Sequence, residues 1–105
     1  MPKYLLAYKG GAMPESPEEQ QRVMAGWTDW YGALGAAVAD PGNPIGRTMT
    51  IASDGAVSEG GGANPASGYA VIEAGSIDEA VAASKGCPIL ASGGSVEVAE
   101  TFDVM

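Results

Sequence analysis

The 105-residue chain sets five Lys and Arg against thirteen Asp and Glu, a formal charge of −8. That balance repels a phosphate backbone and an anionic membrane surface, and so argues against nucleic acid and membrane as partners. There is no histidine and only one cysteine, which removes His-activated nucleophiles, His-based metal sites and an intrachain disulfide together.

Residues 1–105 are predicted to form a single domain. No apolar run reaches the roughly 20 residues of a bilayer span. The start Met1-Pro2-Lys3-Tyr4 enters a strand without a signal-type layout, so a cytoplasmic protein is expected. Lys3 to Lys9 has Tyr4, Leu6 and Tyr8 on one face of that strand and Leu5 and Ala7 on the other. Gly10-Gly11 ends it. The capping box Ser16-Pro17-Glu18-Glu19 opens a helix. Val23, Trp27, Trp30, Tyr31, Leu34 and Val38 make its stripe, predicting helix from Pro17 to about Val38.

Asp40-Pro41-Gly42-Asn43-Pro44 is a turn. A strand from about Arg47 to Ala52 follows, with a turn at Ser53-Asp54-Gly55 and a short return from Ala56 to Glu59. Gly60-Gly61-Gly62-Ala63-Asn64-Pro65 reads as a loop that would form the lid or rim of any pocket. A strand over Ser67 to Ala74, apolar on both faces, leads to a second capping box, Ser76-Ile77-Asp78-Glu79. The helix it opens runs from Ile77 to Lys85, and a last strand runs from Ser95 to about Phe102.

The order strand, helix, strand, written twice, predicts an α+β fold, a ferredoxin-like βαββαβ sandwich. Two helices cover one face of such a sheet. Because the first and third strands are apolar on both faces, the other face is expected to pack against a second copy, giving a homodimer through the sheet face.

Together, the strand, the Ser-Pro-Glu-Glu helix with its paired Trp, the Asp-Pro-Gly-Asn-Pro loop, the Gly-Tyr-Ala-Val-Ile-Glu-Ala strand, the Ser-Ile-Asp-Glu-Ala-Val helix and the final Gly-Gly-Ser-Val-Glu-Val strand resemble the YCII-related domain family, which includes the DGPF proteins. The resemblance covers nearly the whole chain and implies a ferredoxin-like dimeric α/β barrel. A His and Asp pair has hinted at enzymatic activity in that family. Here Ile89 stands after Cys87-Pro88, where the resemblance leads one to expect His, and the Asp-Gly-Pro-Phe signature is missing.

No recognisable catalytic motif is present, no cofactor is expected, and no group of acids has the spacing of a calcium loop. Asp40 is the carboxylate best placed for catalysis, in the loop after the first helix; Asp before Pro is also a common first residue of a turn. Trp27 and Trp30 are candidates to wall a pocket, with Tyr8 and Tyr69 adding phenols from the sheet; such residues are more often core. Arg47 is a candidate to anchor a substrate carboxylate, or to form a surface or intersubunit salt bridge. Cys87, just past a helix C-terminus, reads as a small packing residue or an inert loop thiol.

Three functions fit these residues. The first is binding of a small aromatic or apolar metabolite between helix and sheet. The second is cofactor-independent lyase or isomerase chemistry on small organic acids with Asp40 as base. The third is a non-catalytic structural or partner-binding dimer.

Overall fold

Strict alternation in β1 (Lys3–Lys9) buries Tyr4, Leu6 and Tyr8 and turns Lys3 and Leu5 outward. The computed structural model describes residues 1–11, 14–62 and 65–103. β1 lies inside a four-stranded sheet of order β2-β5-β1-β6, where β2 is Val38–Asp40, β5 is Ala66–Glu73 and β6 is Ser95–Glu100. Every neighbouring pair is antiparallel. The register sets Leu6 between Ala70 and Val98, and Tyr8 between Gly68 and Val96. Leu6 and Tyr8 thus face small residues of β5, while Tyr4 faces Ile72. Leu6 and Ile72 are the largest side chains to be fully buried.

The helices α1 (Pro17–Leu34) and α2 (Ile77–Ser84) start as their capping boxes predict. The Ser16 hydroxyl accepts from Glu19 N–H at 3.1 Å, and that of Ser76 accepts from Glu79 N–H at 3.2 Å. The Glu79 carboxylate reaches back to Gly75 N–H, and Glu19 to Glu15 N–H. Trp30 fixes the two helices to each other: its indole N–H donates to the Ala83 carbonyl at 3.1 Å while the ring joins the core.

Several expectations need correction. The first helix ends at Leu34, not near Val38: Gly35 takes φ +55 and its N–H bonds back to the Tyr31 carbonyl, after which a 3₁₀ turn (Gly35–Ala37) leads into β2. The strand pairing with β5 is accordingly β2, with Val38 opposite Ile72. The runs expected over Arg47 to Ala52 and Ala56 to Glu59 shrink to β3 (Met49–Ile51) and β4 (Val57–Glu59), a separate two-stranded ribbon exposed along both strands. Finally, Pro88 occupies the first turn of an unforeseen short helix, α3 (Pro88–Ala91), and so opens a new element after barring the old one. β6 ends at Glu100, leaving Phe102 exposed. Ala63 and Asn64 of the glycine loop lie outside the described residues.

Helices cover only the Tyr4, Leu6 and Tyr8 face. The molecule measures 43 × 41 × 18 Å, with a radius of gyration of 15.2 Å against about 13 Å for a compact chain of this length. Eighteen ångströms is the thickness of one sheet and one helix layer. No described helix is long and apolar enough to cross a membrane.

Truncation should separate core from ribbon. Leu6→Ala is expected to cost about 2–5 kcal/mol and Trp30→Ala about 3–5 kcal/mol, whereas Val57→Ser on the exposed ribbon should stay within about 0.5 kcal/mol. Urea unfolding of the three variants measures this directly.

Candidate functional site

Between α1 and the ends of β1 and β5 the structure opens into a cleft of about 540 Å³. One wall is α1, where Val23, Met24, Trp27, Thr28 and Tyr31 recur at helical spacing. Opposite stand the Pro41–Pro44 loop and the start of β5, with Tyr8 and Gly10-Gly11 on the β1 side and Ile89 and Ser92 contributed by and just after α3. Among the described residues that line it, none carries a charge.

Local backbone chemistry brings these walls together. Asp40 Oδ1 accepts from Gly42 N–H at 2.9 Å, closing the turn after β2. Gly42 takes φ +67, and any side chain there would collide with the Tyr69 carbonyl. The loop therefore presses against β5, an approach continued by Tyr69 N–H to the Asn43 carbonyl and Ile45 N–H to the Ser67 carbonyl.

Tyr8, Trp27, Trp30 and Tyr31 form one aromatic cluster. Tyr8 and Trp27 meet edge to face with centroids 5.0 Å apart, and Trp27 lies 5.9 Å from both Trp30 and Tyr31. The hydroxyls of Tyr8 and Tyr31 are 3.0 Å apart, and Tyr31 donates to the Pro41 carbonyl at 3.2 Å. Burial pushes the Tyr8 phenol far above its usual range, and the bond to Tyr31 adds to the shift. Burial raises Tyr31 as well, although its bond to Tyr8 works the other way. Both phenols are thus neutral at physiological pH. Burial also raises the Cys87 thiol, which shares the buried core with Tyr8 and Trp30.

The structure brings together only part of the candidate set. Tyr8, Trp27 and Tyr69 line the cleft. Trp30, three residues along α1, is 8% exposed and faces α2. Asp40 is exposed outside the lining, with its carboxylate engaged in the turn. Arg47 sits on the arm leading to the ribbon, paired with Glu59 at 2.7 Å, both side chains exposed. With Gly60 and Gly61 it borders a separate, shallower hollow of about 490 Å³. Gly60 and Gly61 of the loop expected as a lid thus flank the hollow rather than the aromatic cleft.

Sequence reasoning missed Val23, Met24, Tyr31, the Gly10-Gly11 turn and Ile89 as wall residues. The first three carried a signal: they share a helix face with Trp27 at spacings of three and four. Comparison with models of protein families and with curated proteins gives no match.

The buried acids set a pH dependence. Free Cys and Tyr ionise near 9.0 and 10.0, but Cys87 and Tyr8 are held above those values in the fold. Their contribution to stability is complete below the unfolded values and is lost as pH rises towards the folded ones, because the unfolded chain releases protons that the folded chain retains. The urea midpoint is expected to fall from about pH 9 upward, and Cys87→Ala should delay the onset by about one pH unit, towards the range where Tyr titrates. Unfolding curves between pH 7 and 11 check both.

Proposed function

We propose that the protein binds a small, uncharged aromatic or apolar molecule in the cleft between α1 and the sheet. The observation that carries this reading is the charge-free, aromatic wall in a chain that is 17% charged residues. A volume of about 540 Å³ falls in the range of roughly 300–1,000 Å³ common to small-molecule sites. Trp27 and Tyr8 offer ring edges and faces for stacking. The lyase or isomerase alternative draws less support, since Asp40 lies outside the cleft lining and its carboxylate already accepts a backbone N–H.

The same proposal takes the chain as a ferredoxin-like, YCII-like α/β barrel completed by a homodimer. The strand order β2-β5-β1-β6 with antiparallel neighbours is the order such a sandwich needs. Ile89 lines the cleft at the position where the resemblance leads one to expect His, which favours binding over proton transfer. The uncovered sheet face carries Leu5 opposite both Val71 and Ala99, and Ala7 between Tyr69 and Glu97, an apolar strip bordered by the Lys9–Glu97 pair. A second such face, packed about 10 Å away, would bury it.

Two measurements test these readings. Nile red, an uncharged aromatic dye, should brighten on binding the wild type. Met24→Lys, which puts a charge on an exposed wall position, should weaken that binding at least about tenfold with the urea midpoint unchanged. Undiminished binding by the variant would move the site elsewhere. In sedimentation velocity the wild type is expected as a dimer and Val71→Asp as a folded monomer; a monomeric wild type would refute the shared sheet face.

A further inference from the structure

The hydroxyls of Tyr8, Thr28, Tyr31 and Ser67 on the cleft wall all donate to the protein. Tyr31 gives its only hydroxyl proton to the Pro41 carbonyl, so the 3.0 Å contact between the two phenols uses the Tyr8 proton. The Thr28 hydroxyl donates to the Met24 carbonyl at 3.0 Å, and that of Ser67 donates to the carbonyls of Tyr8 and Gly10 at 3.2 and 3.3 Å. Tyr8, Thr28, Tyr31 and Ser67 all line the cleft, and each has already spent its hydrogen on the protein. What these four still offer is lone pairs, whereas the Asn43 amide and the Ser92 hydroxyl, on other walls of the cleft, can donate. The bond from Tyr31 to Pro41 is exposed, so the Tyr31 oxygen is the acceptor a ligand can reach.

We propose that the cleft selects aromatic ligands that donate a hydrogen bond, such as a phenol or another ring bearing O–H or N–H, with Tyr31 Oη as the acceptor. The inference rests on the uncharged-aromatic reading above. A ligand whose only polar group is an ether, a ketone or a carboxylate meets oxygen lone pairs at Tyr31 and gains nothing there. The net charge of −8 further disfavours the carboxylate.

Calorimetric titration of the full chain with 2-naphthol, 2-methoxynaphthalene, 2-acetylnaphthalene and 2-naphthoate tests this. These probes share one ring system and differ in polar group. The wild type is expected to bind 2-naphthol at least about fivefold more tightly than the ether or the ketone, and 2-naphthoate most weakly. In Tyr31→Phe the advantage of 2-naphthol should vanish. The Tyr8 hydrogen, deprived of its acceptor, should then shift preference towards the ketone. Equal binding of 2-naphthol and the ether by the wild type would overturn donor selection and leave the uncharged-aromatic site standing. Binding of none of the probes, or tightest binding of 2-naphthoate, would overturn both. The wild-type series decides the matter even if Tyr31→Phe does not fold.

Discussion

The ring of Tyr8 lies over Gly68 because the antiparallel register sets the two residues opposite each other, and a Cβ at 68 would stand 3.2 Å from Tyr8 Cδ2. That single close approach fixes the depth of the ring, and with it the height at which its hydroxyl meets Tyr31. Trp27 then packs against the ring edge, and Tyr31 reaches past it to the loop after β2. A larger residue at 68 would lift Tyr8 towards α1 and spread the cleft walls. Sheet register, a long-range property, thus governs a site most of whose residues belong to helix and loops.

The charge distribution complements this arrangement. Acids of the chain gather at helix starts, Glu18 and Glu19 in α1 and Asp78 and Glu79 in α2, where the exposed N–H groups favour them. Others pair at the surface, as Glu59 does with Arg47 and Glu97 with Lys9. Desolvating a carboxylate in the cleft would be costly without a cationic partner. The acidity of the protein and the neutrality of its cleft are therefore compatible: one belongs to the rim of each element, the other to the faces turned inward.

What was legible in the sequence is what local chemistry decides. β1, the start of both helices and β5 follow from alternation and capping boxes that act over a few residues. The three residues of β2 form a strand only because an edge of β5 stands beside them, and they continue the helical stripe of α1 at the level of pattern alone. Trp27 and Trp30 look equivalent as residues on one stripe, yet a turn of roughly 60° about the axis sends one to the cleft and the other to α2. Ile89 and the Pro41–Pro44 loop join the site through the fold, across long sequence separations that no motif records.

The β3–β4 ribbon stands apart from the core that stabilises everything else. Ile51 and Val57, opposite each other across it, are 72% and 60% exposed, so the ribbon gains little from burial, and an isolated two-stranded hairpin is marginal in water. Its cross-strand hydrogen bonds can therefore open without disturbing the main sheet. Amide hydrogens of Met49–Ile51 and Val57–Glu59 would exchange with solvent through this local opening, while those of β1 must wait for unfolding of the whole. The chain thus carries two levels of cooperativity, a slow one set by Leu6 and Tyr8 and a fast one confined to the ribbon.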